Sequence, residues 1–318
     1  MKRLLLAFAA TLACVFAQAQ PYPSKPVRVV VPFAPGGPAD LLGRLAGQAI
    51  TDGLGQPAVV ENKVGAAGNI GVDAIAKAAP DGYTLGIVPV GNIAVNPSLF
   101  SNLPYKASDL APVALLATVE NVLVVNASLP ATNLRDLLAL ARQKPESLSF
   151  ASPGAGSQAH LAGELMALNA NVRLVHVPYK GTGPALNDLV GGQVSMMFAQ
   201  ASAAVPFIQQ GKLRPIGVAS LKRSAALPQV PTIAEQGMGG FEAVSWYALM
   251  APAGTPRDIV DRLHAEMGKL LAKPETREKF AALGMEAGTG TPAQLATRIE
   301  QETARWSDVV RQRHIKAD

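Results

Sequence analysis

Hydrophobic positions along this chain alternate between short β-branched runs and longer segments with helical spacing. The run Val27–Val31 ends at Pro32, and a helical apolar repeat follows from Asp40 to Ala49. Two further strands are predicted at 58–61 and 83–88, with a helix between them. Short apolar strands that alternate with amphipathic helices are typical of βα units. The first part of the chain therefore predicts a sheet covered by helices.

A second series of units follows the apolar stretch 119–125, which we interpret as a strand that crosses to a second lobe. Strands are predicted at 148–150, 172–177, 194–198 and 213–218, and helices at 134–143, 160–168, 184–190 and 203–210. The apolar run 244–250 is predicted to be the returning crossing. In the C-terminal part, helices are predicted at 257–271, 274–283 and 292–314. Because these helices have no strands of their own, we expect them to pack on one of the two lobes.

We therefore predict an α/β protein with two lobes, each lobe a mostly parallel sheet flanked by helices. The first lobe is discontinuous, formed by residues 20–123 and 251–318, and the second lobe comprises residues 124–250. Such a plan leaves a cleft at the lobe boundary, where small ligands tend to bind.

Composition supports two hydrophobic cores and argues against a nucleic-acid partner. Of 318 residues, 49% are hydrophobic and 16% are charged, which suits a chain that buries large cores. The formal net charge is +5, but the basic residues are spread thinly and aromatic residues make up only 5%. Nucleic-acid binding favours clustered bases with aromatics beside them, so we exclude it.

The N-terminal residues 1–19 are predicted to be a cleaved signal peptide. Lys2 and Arg3 precede an apolar run of about 13 residues, which is too short to span a bilayer, and cleavage is expected near Ala19. The protein is then expected in the periplasm. Cys14, the chain's one cysteine, lies in this segment; the residues before it form a poor lipobox, and its lipidation stays open as an alternative.

Four predicted strand-to-helix bends are rich in glycine, at 35–37, 65–69, 153–157 and 180–183, two in each lobe. Glycine lets the backbone approach a ligand closely, and the first amide groups of the following helix are unpaired. Such bends can hold an anion without cationic side chains. The alternative is that the glycines only make tight turns.

Some side chains near the bends could either stabilise the local structure or contact a ligand. Asp40 is either a helix cap or an indirect ligand contact, and Gln200 ends a strand where it could reach a ligand. Ser157 is predicted to cap a helix, with His160 in its first turn facing the cleft. Tyr247, like its neighbour Trp246, is expected to pack in the core.

The sequence gives only weak support for an enzymatic function, and we predict no catalytic residue, metal or cofactor. Residues 154–159 match a dinucleotide-binding glycine pattern, but the next strand ends without the acid that a ribose needs. A hydrolase built on Ser157 with His160 or His176 lacks the nucleophile elbow. The four histidines are not at metal-ligand spacing.

Several long motifs in order resemble the substrate-binding receptors of the tripartite tricarboxylate transporter system, the Bug family, over essentially the whole mature chain. The segments that carry the resemblance are 22–28, 32–37 with Asp40 and Arg44, 61–71, 154–164, 177–198 and 251–256. The resemblance implies a two-lobe, type II-like periplasmic-binding-protein fold that closes on its ligand like a hinged clamp. It also implies a two-component integral membrane permease as partner, and we expect a monomer.

The resemblance further implies capture of a small carboxylate, whether a mono-, di- or tricarboxylate or an aromatic acid. Backbone around 33–37 would hold it partly through ordered water, and the second-lobe bends would cover its other end. The predicted ligand-binding residues are Phe33, Ala34, Pro35, Gly36, Gly37, Asp40, Ala67, Gly68, Asn69, Gly91, Ser152, Gly154, Gly156, Ser157, His160, Tyr179, Lys180, Gly181 and Gln200.

One departure from the family pattern bears on the ligand. Many members carry an acid where this chain has Gln200, and an acid would suit an ammonium group on the ligand. We therefore predict a ligand without an ammonium group. Two other functions stay open at this point: a ligand carrier for a membrane signalling protein, which a neighbouring sensor kinase gene would favour, and an exported hydrolase, which ester turnover lost in Ser157→Ala would support.

Overall fold

The computed structural model describes residues 22–179 and 181–315, and two sheets organise them. The predictions for the signal peptide, Cys14 and Lys180 lie outside the described residues. The first sheet contains β1 (Val27–Val31), β2 (Ala58–Asn62), β3 (Thr84–Pro89), β4 (Leu110–Val119), β10 (Ser245–Pro252) and β11 (Met285–Ala287), in the order β11-β4-β10-β3-β1-β2. The second contains β5 (Asn121–Asn126), β6 (Ser149–Ser152), β7 (Val175–Pro178), β8 (Met196–Gln200) and β9 (Leu213–Val218), in the order β7-β6-β8-β5-β9. We call each sheet with its helices the first and second lobe.

The predicted α/β class with two lobes is confirmed, but both sheets are mixed, whereas mostly parallel sheets were predicted. Strand β1 runs parallel to β2 and β3, whereas β10 runs antiparallel to β3 and β4. In the second sheet β6 runs parallel to β7 and β8, whereas β5 runs antiparallel to β8 and β9. The strands next to the lobe crossings thus give each sheet its antiparallel part.

Helices cover both sheets and supply the elements that surround the cleft. Their bounds are α1 (Pro38–Leu54), α2 (Asn69–Ala76), α3 (Asn96–Leu99), α4 (Leu134–Gln143), α5 (Gln158–Ala170), α6 (Thr182–Val190), α7 (Ala201–Gln209), α8 (Arg257–Ala272), α9 (Pro274–Ala282) and α10 (Pro292–Gln312). A π-helical turn at Gly91–Val95 leads into α3. Within the described residues, no helix combines the length and apolar character needed to cross a membrane.

The chain changes sheet at points that differ from the predicted crossings. The apolar stretch 119–125 is two strands, because β4 ends at Val119 in the first sheet and β5 starts at Asn121 in the second. The run predicted as the returning crossing is β10, which pairs only with first-sheet strands. The predicted limits at 123/124 and 250/251 therefore fall inside β5 and β10. The Asn121 amide joins the two crossings by donating to the carbonyl of Ala243 at 2.7 Å.

The C-terminal helix α10 packs on both lobes, whereas the sequence predicted packing on one. Leu295 and Ile299 join the first-lobe core around Trp246. About two turns further on, Trp306 and Val310 are buried in the second-lobe core. A 21-residue helix is about 30 Å long and can reach across two small cores.

Candidate functional site

A cavity of about 380 Å³ lies between the two lobes and is the place where the predicted bends meet. Eight of the predicted residues line it: Phe33, Gly37, Ala67, Gly91, Gly154, Gly156, Ser157 and Gln200. The other predicted residues that the structure describes are not among the lining residues, and their contacts show what they do.

The first bend presents the start of helix α1 to the cavity. Gly37 is the N-cap, Pro38 follows, and the first intrahelical hydrogen bond runs from Leu41 N to Gly37 O. The amide groups of Ala39 and Asp40 therefore have no intrahelical acceptor. Ala39 and Gly37 line the cavity, which places this positive helix end at its wall.

Asp40 braces the first bend from behind. Helix α1 begins two residues before Asp40, so Asp40 is not its N-cap. The Asp40 side chain is buried and does not line the cavity. Its carboxylate accepts hydrogen bonds from Gly36 N at 3.1 Å, from the Arg44 guanidinium at 3.0 Å and from Asn62 Nδ2 at 3.0 Å. Burial alone would raise the pKa of Asp40, but these hydrogen bonds hold it below its usual range. Ala34, Pro35 and Gly36 are exposed and are not among the lining residues.

The second bend is tied to a cluster of buried amides. Asn69 Oδ1 accepts hydrogen bonds from Asn92 Nδ2 at 3.0 Å, from Asn96 Nδ2 at 2.6 Å and from the Tyr105 hydroxyl at 2.9 Å. Asn69 itself lies outside the lining, whereas Asn92 and Asn96 line the cavity. The second bend is thus held in place by the Asn69 side-chain oxygen, which accepts three hydrogen bonds.

Gly68 allows this bend to approach the first one. A Cβ atom there would lie 2.8 Å from the Phe33 ring, and its φ of +89° is a conformation that side chains disfavour. The glycine thus makes room for Phe33, which lines the cavity beside Ala67.

The third bend presents the start of helix α5 from the second lobe. Ser157 is the N-cap, and its hydroxyl accepts from His160 N at 3.3 Å, as predicted from the sequence pattern. The first intrahelical bond runs from Leu161 N to Ser157 O. The amide groups of Gln158 and Ala159 have no intrahelical acceptor, and both residues line the cavity.

His160 stands behind the third bend, whereas the sequence placed it facing the cleft. Its Nδ1 accepts a hydrogen bond from Gly156 N at 3.1 Å, and its ring stacks on His176 at 3.7 Å between centroids. His176 Nε2 lies 2.7 Å from the hydroxyl of Ser152, which is buried and donates to Gly154 O. Ser152 and His160 therefore shape the bend without lining the cavity.

The fourth bend precedes helix α6. Gly181 is the N-cap with φ of +120°, and the next residue, Thr182, lines the cavity. The Tyr179 hydroxyl donates to Asp188 Oδ2 at 2.7 Å, so the Tyr179 side chain is bound within the second lobe.

Sequence reasoning missed several lining residues. Asn92, Asn96, Asn121, Gln158 and Ser245 all line the cavity and are at least nine-tenths buried. A signal existed for the first two, since polar amides that flank the apolar run 93–95 are unusual in a buried segment.

Tyr247 is part of the first-lobe core, as predicted, and has a second place that the sequence did not predict. It lines the cavity, and its hydroxyl accepts from Gln200 Nε2 at 3.5 Å. Burial raises the pKa of the Tyr247 hydroxyl, which stays protonated and available as a donor. Its neighbour Trp246 is fully buried in the first-lobe core.

The described wall of the cavity is uncharged. It contains asparagine, glutamine, serine, threonine and tyrosine side chains and the starts of α1, α5 and α6, and no acid or base occurs among the described lining residues. Over 22–179 and 181–315 no group of three histidine, cysteine or acidic residues could hold a metal ion. The arrangement can bind a small anion by neutral donors, which costs less desolvation than a buried ion pair.

Comparisons with known proteins give the family. The sequence model of the tripartite tricarboxylate transporter family receptor matches residues 42–315 of this chain. Protein BugT of Bordetella pertussis is 41% identical over 296 residues, covering 92% of this chain and 91% of that protein.

Solved structures agree with the sequence comparison. A Rhodopseudomonas palustris protein solved with adipate is 37% identical with a TM-score of 0.83, covering 93% of this chain and 99% of that one. MatC of Rhodopseudomonas palustris, solved with malate, is 36% identical with a TM-score of 0.79, covering 91% and 100%. This chain therefore belongs to the tripartite tricarboxylate transporter receptor family, whose members are solute-binding receptors and not enzymes.

Proposed function

We propose that this protein captures a small carboxylate in the periplasm, as a monomer, and delivers it to a two-component membrane permease. The observation that carries the proposal is an uncharged cavity between two lobes, with the starts of α1 and α5 in its wall. Unpaired amide groups at helix starts favour an anion. Adipate and malate in two relatives are small carboxylates of this kind.

The proposed binding residues are those predicted from the sequence, with different tasks. The eight predicted residues that line the cavity contact the ligand, directly or through water. Asp40, Asn69, Ser152 and His160 hold the bends in place. Lys180 remains a proposed contact from the fourth bend. Export through a cleaved signal peptide that ends near Ala19 belongs to the same proposal.

A thermal-shift screen tests the function. Purified mature protein is melted with small carboxylates, amino acids and neutral solutes, and only carboxylates are expected to raise the melting temperature. A ligand at about 100 times its dissociation constant adds about 2.7 kcal/mol to the free energy of unfolding. A shift with amino acids or neutral solutes instead of carboxylates would contradict the proposal.

Gly37 offers a matched pair of variants for this screen. It lines the cavity, and a Cβ atom there would have no heavy atom within 4 Å. Asp and Asn both suit an N-cap, so Gly37→Asp and Gly37→Asn should fold equally well. The aspartate places a negative charge at the anion site and should abolish the shift, whereas the neutral asparagine should retain part of it.

A further inference from the structure

A chain of polar side chains connects the third bend of the cavity wall to the end of helix α10. Gly156 N donates to His160 Nδ1 at 3.1 Å. One turn further along α5, Glu164 Oε1 lies 3.8 Å from His160 Nε2. Arg313, the residue that follows α10, donates from Nε to the other Glu164 oxygen at 2.6 Å. His160 and Glu164 are both more than nine-tenths buried, so the chain lies in the protein interior.

The hydrogen bond from Gly156 requires one particular tautomer of His160. The ring is uncharged at neutral pH, since burial and the neighbouring His176 lower its pKa to about 3. A neutral imidazole has one N–H donor and one acceptor nitrogen. Because Nδ1 accepts from the Gly156 amide, the hydrogen is on Nε2, the nitrogen that faces Glu164. The other tautomer would place two N–H donors against each other at the bend.

Glu164 favours the required tautomer by its charge. Its oxygen is too far from Nε2 for a direct hydrogen bond, but the carboxylate attracts the hydrogen on Nε2, and more strongly in a buried site than in water. Among the described residues, Arg313 is the one arginine or lysine within 4.0 Å of this carboxylate. It stabilises the charged form of Glu164, because a buried carboxylate without a partner is costly.

The third bend matters because it places the free amides of α5. Gly156 lines the cavity but directs its own N–H to His160. The amides of Gln158 and Ala159, which have no intrahelical acceptor, follow two and three residues later. Their positions depend on the conformation of the bend, and binding sites are sensitive to displacements of about 0.5 Å.

We propose that Glu164 and Arg313 are positioning residues of the carboxylate site, which act through the tautomer of His160 and do not touch the ligand. Neither residue lines the cavity. The inference rests on the proposed carboxylate function and adds two residues to its site. It also gives the end of α10 a part in ligand binding, although this helix contributes no lining residue among those described.

Proton–nitrogen correlation spectra of the ligand-free protein at pH 7 test the tautomer directly. In the wild type we expect His160 with its hydrogen on Nε2 alone. Glu164→Gln and Arg313→Met should each produce a population with the hydrogen on Nδ1, whereas Arg313→Lys keeps the charge and should restore the wild-type spectrum. A mere loss of stability would not move the hydrogen. Identical His160 spectra in the wild type and in all three folded variants would overturn the inference.

Calorimetric titration with malate, succinate, adipate and benzoate tests the effect on binding. Glu164→Gln and Arg313→Met should bind about fivefold more weakly than the wild type, roughly the effect of one hydrogen bond. Arg311→Met, which breaks an exposed ion pair with Asp308 near the same helix end, is the matched control and should bind normally. Unchanged affinity in Glu164→Gln and Arg313→Met would overturn this inference alone, whereas a wild-type protein that binds none of the four would contradict the proposed function as well.

Discussion

At the scale of single residues, the stacked pair His160 and His176 shows how polar rings can be buried in the second lobe. Their planes lie within 7° of each other, and Glu164 Oε1 is 3.8 Å from His160 Nε2. Arg313 donates to the other oxygen of Glu164 at 2.6 Å. Burial and the neighbouring His176 lower the pKa of His160 to about 3, and burial lowers the pKa of His176 to about 4. Both rings are therefore neutral at pH 7.

This pair makes the stability of the protein depend on pH. Below pH 6.5 the unfolded chain protonates both histidines, whereas the folded protein does so only near pH 4 and pH 3. Because the unfolded state then binds more protons, the free energy of unfolding falls as the pH falls below 6.5. Each histidine contributes at most about 1.4 kcal/mol per pH unit, and the partly exposed His176 contributes less.

Urea unfolding at pH 7, 6 and 5 measures this loss. His176→Phe removes one of the two titrating rings and keeps a stacking partner for His160, so its stability should fall less steeply with pH. A wild-type stability that stays constant from pH 7 to pH 5 would show that the two rings titrate normally in the folded protein.

At the scale of elements, the contact of helix α2 with the end of β1 depends on one glycine. A Cβ atom at Gly71 would lie 2.7 Å from the Cα atom of Pro32 and 2.7 Å from the carbonyl oxygen of Lys63. Both are backbone atoms, which cannot move aside like the end of a side chain. The close approach also sets the distance between the first two bends of the cavity wall.

Gly71→Ala should therefore destabilise the protein, although alanine is the better helix former. Overpacking of this kind costs about 1–3 kcal/mol. Gly268, in the interior of α8, has no heavy atom within 4 Å of its missing Cβ, and Gly268→Ala should add up to about 1 kcal/mol. Urea unfolding of both variants measures the difference, and a gain in stability for both would mean that α2 can shift away from β1.

At the scale of the whole molecule, the two lobes are joined by the crossings near Asn121 and Ala243 and by helix α10. The cavity wall contains residues of both lobes, such as Gly37 of the first and Ser157 of the second. A ligand that contacts both lobes at once binds the closed arrangement more tightly than an open one. The crossings lie side by side, as expected of a hinge.

Small-angle X-ray scattering should record this closure. We expect the radius of gyration of the mature protein to fall when a bound carboxylate reaches saturation, because the open population is removed. Gly37→Asp with the same ligand provides the control and should show no change. An unchanged radius for the wild-type protein at saturation would argue for a cleft that is already closed without ligand.

Local features of the fold and the site follow from the sequence, and long-range ones do not. The strands, the glycine bends and the Ser157 cap were predictable, because each needs only a few adjacent residues with the right spacing or backbone freedom. The direction of His160, the hydrogen bonds around Asn69 and the place of Tyr247 depend on residues far away in the chain. The break between β4 and β5 was hidden for a related reason, since an apolar run looks the same whether one sheet or two sheets bury it. By itself the sequence determined the family, the two-lobe class and which bends could form a site; only the tertiary structure decided which side chains line the cavity and which support it, because that depends on how distant segments pack against each other.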